Sequence, residues 1–91
     1  VVIQEHCCIS QGAMLLCGNH NYKKPSFDLI TGKIVLEDGV WIGAKSIVCG
    51  GVVCKSHSVL NAGSLASEQL EAYAIYQGNP AVKIKVREIT A

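Results

Sequence analysis

The sequence has few aromatic and few charged residues. One Trp, three Tyr and one Phe make up its aromatic content, and only 16% of its residues are charged. A core must therefore be built from Val, Ile, Leu, Ala and Cys, a composition that favours β-strands. The net charge of +1 lacks the electrostatic footprint of a protein that binds nucleic acid or a membrane surface. We therefore expect no nucleic-acid partner.

Long apolar runs are also missing. No run reaches the roughly 18–20 residues that cross a bilayer, and no signal peptide opens the chain, so we expect no membrane insertion. The first residue is not Met and the chain starts within a strand-like segment, which leads us to expect a fragment of a longer protein. A chain of 91 residues forms one small domain at most, and oligomerisation would help to stabilise it.

The cysteines are odd in number and show no CxxC spacing. They are Cys7, Cys8, Cys17, Cys49 and Cys54. Neither a zinc site nor a disulfide framework is indicated, and no metal is expected. We expect free thiols that act as small apolar side chains in a reducing compartment, which favours the cytoplasm.

Apolar residues recur at every sixth position. From the middle of the chain onward they are Leu36, Ile42, Val48, Cys54, Leu60 and Ala66, and a shorter run with the same period is Ile3, Ile9 and Leu15. Four positions after each of the first five lie small or β-branched residues: Val40, Ser46, Val52, Ser58 and Ser64. A helix would space apolar residues by three and four. A period of six instead predicts short strands joined by tight corners, the pattern of a parallel β-helix.

The period also predicts how the single all-β domain is organised. Three hexapeptides make one triangular coil, and coils stack at about 4.8 Å. Residues 1–17 then form a first coil, residues 34–69 about two more, and residues 70–91 a C-terminal strand and tail. Residues 18–33 lack the period and shift its phase by three, so they are expected to form an excursion loop whose ends lie close together. A stack this short has open ends and exposed faces, which a trimer would cover.

Two stretches narrow the interpretation further. They are GNHNYKKPSFDLITGKIVLEDGVWIGAKS at 18–46 and SLASEQLEAYAIYQGNPAVKIK at 64–85. With NHNY, WIGA and GNPA in register with the repeat, nearly the whole chain resembles the sugar O-acetyltransferases of the hexapeptide-repeat acyltransferase family, most closely those of colanic acid biosynthesis. The resemblance implies a left-handed parallel β-helix of about three coils, against the usual right-handed crossover. It also implies a homotrimer with active sites between subunits, which transfers acetyl from acetyl-CoA to a sugar or polysaccharide-precursor hydroxyl.

The resemblance assigns the acceptor side of the reaction to the excursion loop. His20 matches the family's catalytic histidine and would be the general base, which an imidazole suits because it titrates near neutral pH. Asn19 and Tyr22 would bind the sugar or position the base, and Trp41 would form a wall of the acceptor pocket. Without the resemblance, a histidine in a polar loop is more often a solvent-facing bystander, and the tryptophan equally fits structural packing.

The resemblance also assigns residues to acetyl-CoA. The backbone amide of Ala44 would meet the oxyanion, and Ala62, one coil later, would leave the backbone open for the pantetheine arm. Lys85 and Lys83 would meet the CoA phosphates, and Ser67 would lie near the adenine. From the residues alone, small side chains also suit tight corners, and the lysines also suit an ordinary charged tail.

The chain departs from the family pattern in several places. Glu68 replaces a usual Lys, Gly50 replaces a common Pro, and the coils that carry acceptor-binding residues upstream of the histidine are absent. Two other functions therefore stay open. One is a catalytically idle hexapeptide module for binding or assembly. The other is a zinc hydratase of the carbonic anhydrase type, for which His6, His20 and His57 are present but no His-x4-His pair.

Overall fold

The computed structural model describes residues 1–90, whose regular secondary structure consists of β-strands. The strands are β1 (Val2–Ile3), β2 (Cys8–Ile9), β3 (Met14–Leu16), β4 (Gly18–His20), β5 (Leu29–Thr31), β6 (Val35–Leu36), β7 (Trp41–Ile42), β8 (Ile47–Cys49), β9 (Val53–Cys54), β10 (Val59–Leu60), β11 (Leu65–Ala66), β12 (Ala74–Gly78) and β13 (Ala81–Val86). Within residues 1–90 no helix is long and apolar enough to cross a membrane.

Three parallel sheets form the faces of a prism. Face A contains β1, β6 and β9, face B contains β2, β7, β10 and β12, and face C contains β3, β8 and β11, while β13 extends face B as an antiparallel edge strand. Val35 pairs with Val53 and Trp41 with Val59, a step of 18 residues that equals three hexapeptides. Three coils are therefore stacked, and the predicted parallel β-helix is confirmed.

The corners of the prism are named by the faces that they join. Corner AB comprises residues 4–7, 37–40 and 55–58, corner BC comprises residues 10–13, 43–46 and 61–64, and corner CA comprises residues 50–52 and 67–69 together with the excursion at 18–33. Apart from the excursion, each corner turns the chain within about four residues, which keeps the strands on one face in register from coil to coil.

The apolar positions of the six-residue repeat face the prism interior. Leu36, Ile42, Val48, Cys54 and Leu60 are 0% exposed and Ala66 is 1% exposed. Their equivalents in the first coil are less covered, with 47% of Ile3 and 39% of Ile9 exposed, because this coil has a neighbour on one side only within residues 1–90. At the other end Leu70 and Tyr76 cover the core.

Serines at the inner side of corner BC connect neighbouring coils. The Ser46 hydroxyl donates to the carbonyl of Asn61 at 2.8 Å and accepts from the amide of Ser64 at 3.3 Å. The hydroxyl of Ser64 in turn accepts from the amide of Gly78 at 3.0 Å. These bonds give partners to the hydroxyls of Ser46 and Ser64, which are both buried. Corner BC is thereby fixed from the second coil to the C-terminal strands.

The excursion at residues 18–33 is an antiparallel β-hairpin, β4 with β5, rather than an irregular loop. We call it the arm. Its ends lie together, as the stacking requires, because the Gly32 amide donates to the Cys17 carbonyl at 2.7 Å. A Cβ on Gly32 would lie 2.6 Å from the amide nitrogen of Gly51, so only glycine fits this close approach. The hairpin form follows from the need to pair the backbone groups of a segment that leaves the prism.

The buried thiol of Cys54 gives a testable pH dependence. Burial, with a smaller contribution from Cys7, raises the pKa of the Cys54 thiol from 9.0 to about 12. The unfolded chain therefore loses this proton near pH 9 while the folded chain keeps it, so stability falls as pH rises from 9 toward 12. We expect the wild type to lose roughly 1 kcal/mol more than Cys54→Val between pH 8 and pH 10 in urea unfolding. Equal losses in the two proteins would contradict the burial of a protonated thiol.

Candidate active site

A groove of about 700 Å³ runs along corner BC across the three coils. It brings together three residues that the sequence assigned to the site: Trp41, Ala44 and Ala62. Four polar residues that the sequence did not single out also line it: Ser10, Gln11, Asn61 and Gln77. In the sequence they are ordinary polar residues at or near corner positions, and no motif marks them.

The groove floor is backbone, because the coils approach one another closely there. The amide of Gly43 donates to the carbonyl of Leu60 at 2.8 Å. A Cβ on Gly43 would lie 2.5 Å from the amide nitrogen of Ala62 and 2.8 Å from the carbonyl oxygen of Leu60. Glycine is thus required by close packing between the second and third coils. The small side chains that follow it, Ala44 and Ala62, leave this backbone accessible from the groove.

Several backbone amides in the groove, including those of Ala44 and Ala62, have no acceptor in the part of the chain that the structure describes. At corner AB the amide of Ser56 donates to the carboxylate of Glu37 at 2.9 Å. Ala62 occupies the equivalent position one hexapeptide later, at corner BC. Within residues 1–90, neither its amide nor that of Ala44 donates to any acceptor. These N–H groups lie one coil apart. Fixed, unpaired N–H groups of this kind can bind carbonyl oxygens or a developing oxyanion.

The indole of Trp41 stands on the outer surface of face B and forms one wall of the groove. Its Nε1–H donates to the Ser10 hydroxyl at 3.0 Å, which ties the second coil to the first across this wall. About half of the side chain is exposed. The indole therefore combines a structural bond on one edge with an open apolar face, and its role in an acceptor pocket stays a prediction.

His20 lies on β4 of the arm, with its side chain exposed. Its Nδ1 is 2.8 Å from the carbonyl oxygen of Phe27. A carbonyl oxygen only accepts, so this bond assigns the imidazole proton to Nδ1 and leaves a free lone pair on Nε2. The amide of His20 donates to the side-chain oxygen of Asn19 at 2.8 Å. Asn19 thus shapes the backbone at His20, and Tyr22 extends into solvent further along the arm.

One chain does not bring the arm and the groove together. The arm leaves the prism at corner CA, whereas the groove lies along corner BC, and no residue of the arm lines the groove. A separate pocket of about 260 Å³ lies at the base of the arm, where Asn19 and Ile30 face Cys49 and Gly50. The imidazole and the unpaired amides are therefore on different corners of the same prism.

The other residues assigned to acetyl-CoA lie outside the groove. Lys83 is on β13, with its Nζ 3.7 Å from a carboxylate oxygen of Glu71. Lys85 is on the same strand and lines a shallow pocket of about 490 Å³ with Arg87. Ser67 is exposed at corner CA. Their assignment to phosphate and adenine stays a prediction.

The three histidines occupy separate places. His6 lies at corner AB in the first coil, and His57 lies at the same corner in the third coil, where its ring stacks on Tyr73 with centroids 4.7 Å apart. His20 is on the arm. Among residues 1–90, no three His, Cys, Asp or Glu side chains are grouped so that they could hold a metal ion.

Curated proteins similar in sequence are acetyltransferases. No family model matches the chain. It is 31% identical over 87 residues to the colanic acid biosynthesis acetyltransferase WcaF of Escherichia coli K12, an alignment that covers 96% of this chain and 48% of WcaF. It is 41% identical over 56 residues to a chloramphenicol acetyltransferase of Klebsiella aerogenes, which covers 62% of this chain and 27% of that protein. The chain therefore spans about half the length of WcaF and a smaller share of the chloramphenicol acetyltransferase.

Solved structures with the same fold are acyltransferases. A mutant of AntD, an N-acyltransferase from Bacillus cereus in complex with dTDP and coenzyme A, superposes with a TM-score of 0.87 at 27% identity, over 94% of this chain and 52% of that one. A hexapeptide-repeat acetyltransferase from Vibrio cholerae, in complex with acetyl coenzyme A, gives a TM-score of 0.87 at 25% identity, over 93% and 48%. These neighbours are left-handed β-helices, which confirms the predicted handedness. The chain is thus similar in sequence to acetyltransferases and in fold to hexapeptide-repeat acyltransferases.

Proposed function

We propose that this chain transfers an acetyl group from acetyl-CoA to a hydroxyl of a sugar or polysaccharide precursor. The observation that carries the proposal is the bond between His20 Nδ1 and the Phe27 carbonyl, because it leaves Nε2 as a free proton acceptor. The names of the relatives support the same reaction class, since WcaF is a colanic acid biosynthesis acetyltransferase and AntD is described with coenzyme A and dTDP. The free thiols of all five cysteines fit a reducing cytoplasm as the place of reaction.

His20 acts as the general base. Its Nε2 accepts the proton of the acceptor hydroxyl while the hydroxyl oxygen attacks the thioester carbonyl carbon. The carbon–sulfur bond then breaks, and the leaving thiolate takes the same proton from Nε2. The imidazole ends in its starting state, and no acyl-enzyme forms. Held by the Phe27 carbonyl, the ring keeps the basic nitrogen exposed throughout this cycle.

The groove at corner BC receives the thioester. The amide of Ala44 faces the oxyanion that forms at the carbonyl, and the amide of Ala62 binds a carbonyl of the pantetheine arm one coil away. The small side chains at both positions give an extended chain access to the backbone. Gly43 supports this arrangement, since the glycine keeps both amides on closely stacked coils.

The complete site is built from two chains of a homotrimer. Because the arm and the groove are on different corners of one prism, the His20 imidazole of one subunit serves the groove of its neighbour. Large apolar side chains along the arm support a contact with another subunit: Tyr22, Phe27, Leu29 and Ile30 are all exposed in the single chain. A closed ring of three arms and three grooves covers each of them once.

The reaction is tested by mixing the protein with acetyl-CoA and a panel of free sugars and nucleotide sugars, and by measuring free thiol. We expect thiol release that depends on one of the acceptors, with mass spectrometry showing one acetyl group added to it. Release of the thiol without an acetylated acceptor would contradict a transferase. Binding of CoA without turnover on any acceptor would favour the idle hexapeptide module instead.

A bulky side chain at Ala62 is expected to block the groove. The position is exposed, so Ala62→Tyr adds a ring above the backbone amide without entering the core. We expect KM for acetyl-CoA to rise about 10-fold or more, because the pantetheine arm loses its access to the amide. The matched control is Glu68→Tyr, which is also exposed and lies one repeat later, at corner CA. An equal effect of both substitutions on KM would contradict the assignment of corner BC to the thioester.

A further inference from the structure

We propose that Asp28 is a positioning residue, which holds the Phe27 carbonyl against His20 and thereby fixes the tautomer of the base. The catalytic consequence rests on the proposed function of His20. The structural step, from Asp28 to the position of the imidazole proton, does not depend on it. Asp28 touches neither groove nor base, so it acts only through the turn that carries the carbonyl.

The backbone at Phe27 needs to be held in place. Its φ is +48°, in the left-handed region, which costs a bulky L-residue about 1–2 kcal/mol. Its side chain is 57% exposed, so packing contributes little to keep it there. The bond that closes the turn runs from the Phe27 amide to the carbonyl of Lys24 at 3.0 Å. One backbone bond does not by itself set the direction of the next peptide plane.

Asp28 supplies the missing constraints. One carboxylate oxygen accepts from the Ser26 hydroxyl at 2.7 Å, and the other accepts from the Lys24 ammonium at 3.3 Å. Its backbone carbonyl accepts from the Asn21 amide at 2.8 Å, which anchors it to the opposite side of the arm. The amide nitrogen of Asp28 belongs to the same peptide plane as the Phe27 carbonyl. Fixing Asp28 on three sides therefore fixes the direction in which that carbonyl points.

The strength of the contacts shows which one matters most. The Lys24–Asp28 ion pair is exposed on both sides, with 59% and 54% of the side chains accessible, and such pairs contribute little. The Ser26 bond is short and charge-assisted, which makes it the stronger constraint. Asparagine at position 28 keeps an acceptor for that hydroxyl and loses the ion pair. Alanine loses both contacts.

The consequence for His20 is a change of tautomer. A histidine ring places its proton on whichever nitrogen has the better acceptor, and in water a neutral imidazole favours Nε2–H. If the Phe27 carbonyl turns away, His20 loses the acceptor that keeps its proton on Nδ1. A ring with its proton on Nε2 has no lone pair toward the acceptor hydroxyl. Asp28→Ala therefore lowers the fraction of protein that has a competent base.

The test uses Asp28→Ala, with Asp28→Asn as the conservative control. Ser26→Ala is a second variant that removes the hydrogen bond between Ser26 and Asp28. Nitrogen-15 NMR of histidine-labelled protein, at a pH where the imidazoles are neutral, reports the tautomer of His20. We expect Nδ1–H in the wild type and in Asp28→Asn, and a shift toward Nε2–H in Asp28→Ala and Ser26→Ala. The His57 signals serve as the internal reference, since this ring lies at corner AB.

Kinetics on the same proteins provide the second measurement. We expect kcat to fall about 10- to 100-fold in Asp28→Ala with KM for acetyl-CoA unchanged, and to stay within about 3-fold of the wild type in Asp28→Asn. An unchanged His20 tautomer in both Asp28→Ala and Ser26→Ala would overturn the proposal, whatever the rates. A shifted tautomer in a protein whose wild type shows no turnover would support the positioning role and contradict the proposed function. The two failures are thus distinguishable.

Discussion

Replacing His20 with alanine is expected to lower kcat for acetyl transfer by about 10²- to 10⁴-fold, the usual contribution of a positioned general base. The physical reason is that a sugar hydroxyl is a poor nucleophile until its proton has an acceptor. In the proposed mechanism the acceptor is Nε2 of His20, whose Nδ1 is bonded to the Phe27 carbonyl. KM for acetyl-CoA is expected to stay within about 2-fold of the wild type, because the imidazole belongs to the transition state rather than to thioester binding.

The control for this variant is a second histidine that has no role in the reaction. His6 lies at corner AB, with 87% of its side chain exposed, and its φ is +59°. Asparagine tolerates that backbone, so His6→Asn removes an imidazole without new strain. We expect wild-type rates from it. Undiminished turnover by His20→Ala would rule out His20 as the base.

The second large effect is expected at Gly43. A Cβ there would lie 2.5 Å from the Ala62 amide nitrogen and 2.8 Å from the Leu60 carbonyl oxygen. Both atoms belong to the backbone, which cannot rotate away. Gly43→Ala therefore forces the second and third coils apart. We expect a loss of about 3 kcal/mol in the free energy of unfolding, at the upper end of ordinary overpacking. For a domain of this size, that loss corresponds to a fall in Tm of roughly 12–24 °C.

Gly63 is the matched control, because it separates steric from conformational cost. It lies at the same corner with φ at +71°, and a Cβ there would meet nothing within 4 Å. Gly63→Ala is expected to lose only the strain of a left-handed alanine, about 1–2 kcal/mol. Urea unfolding of the two variants compares the costs directly. A smaller loss for Gly43→Ala than for Gly63→Ala would contradict the close approach of the coils at the groove.

Most of the fold could be predicted from the six-residue period. Each inward position from Leu36 to Ala66 is buried as predicted, because one stacked coil covers the next and the same face of every strand points inward. The arm was predicted to leave the prism, but its hairpin was not. Pairing of Gly18 with Thr31 depends on backbone bonds across a segment that has neither the period nor a two-residue turn motif.

The candidate site was predictable only in part. Trp41, Ala44 and Ala62 lie in the repeat, so their place along one groove follows from steps of 3 and 18 residues. Ser10 precedes the arm in the chain and Trp41 follows it, so their hydrogen bond depends on how the chain returns to the prism after the excursion. The Phe27 carbonyl, which assigns the tautomer of His20, is a backbone group, and its direction is invisible in a sequence.

The central claim is that the base of one subunit serves the groove of another. It is tested most directly by co-expressing His20→Ala, which lacks the base, with Ala62→Tyr, which lacks an open groove. In a randomly mixed trimer, about one quarter of the sites join an intact arm to an intact groove. At acetyl-CoA concentrations well below KM, about a quarter of wild-type activity should therefore return, whereas each parent has at most about a tenth of it. A mixture that stays as inactive as its parents would contradict a site shared between subunits.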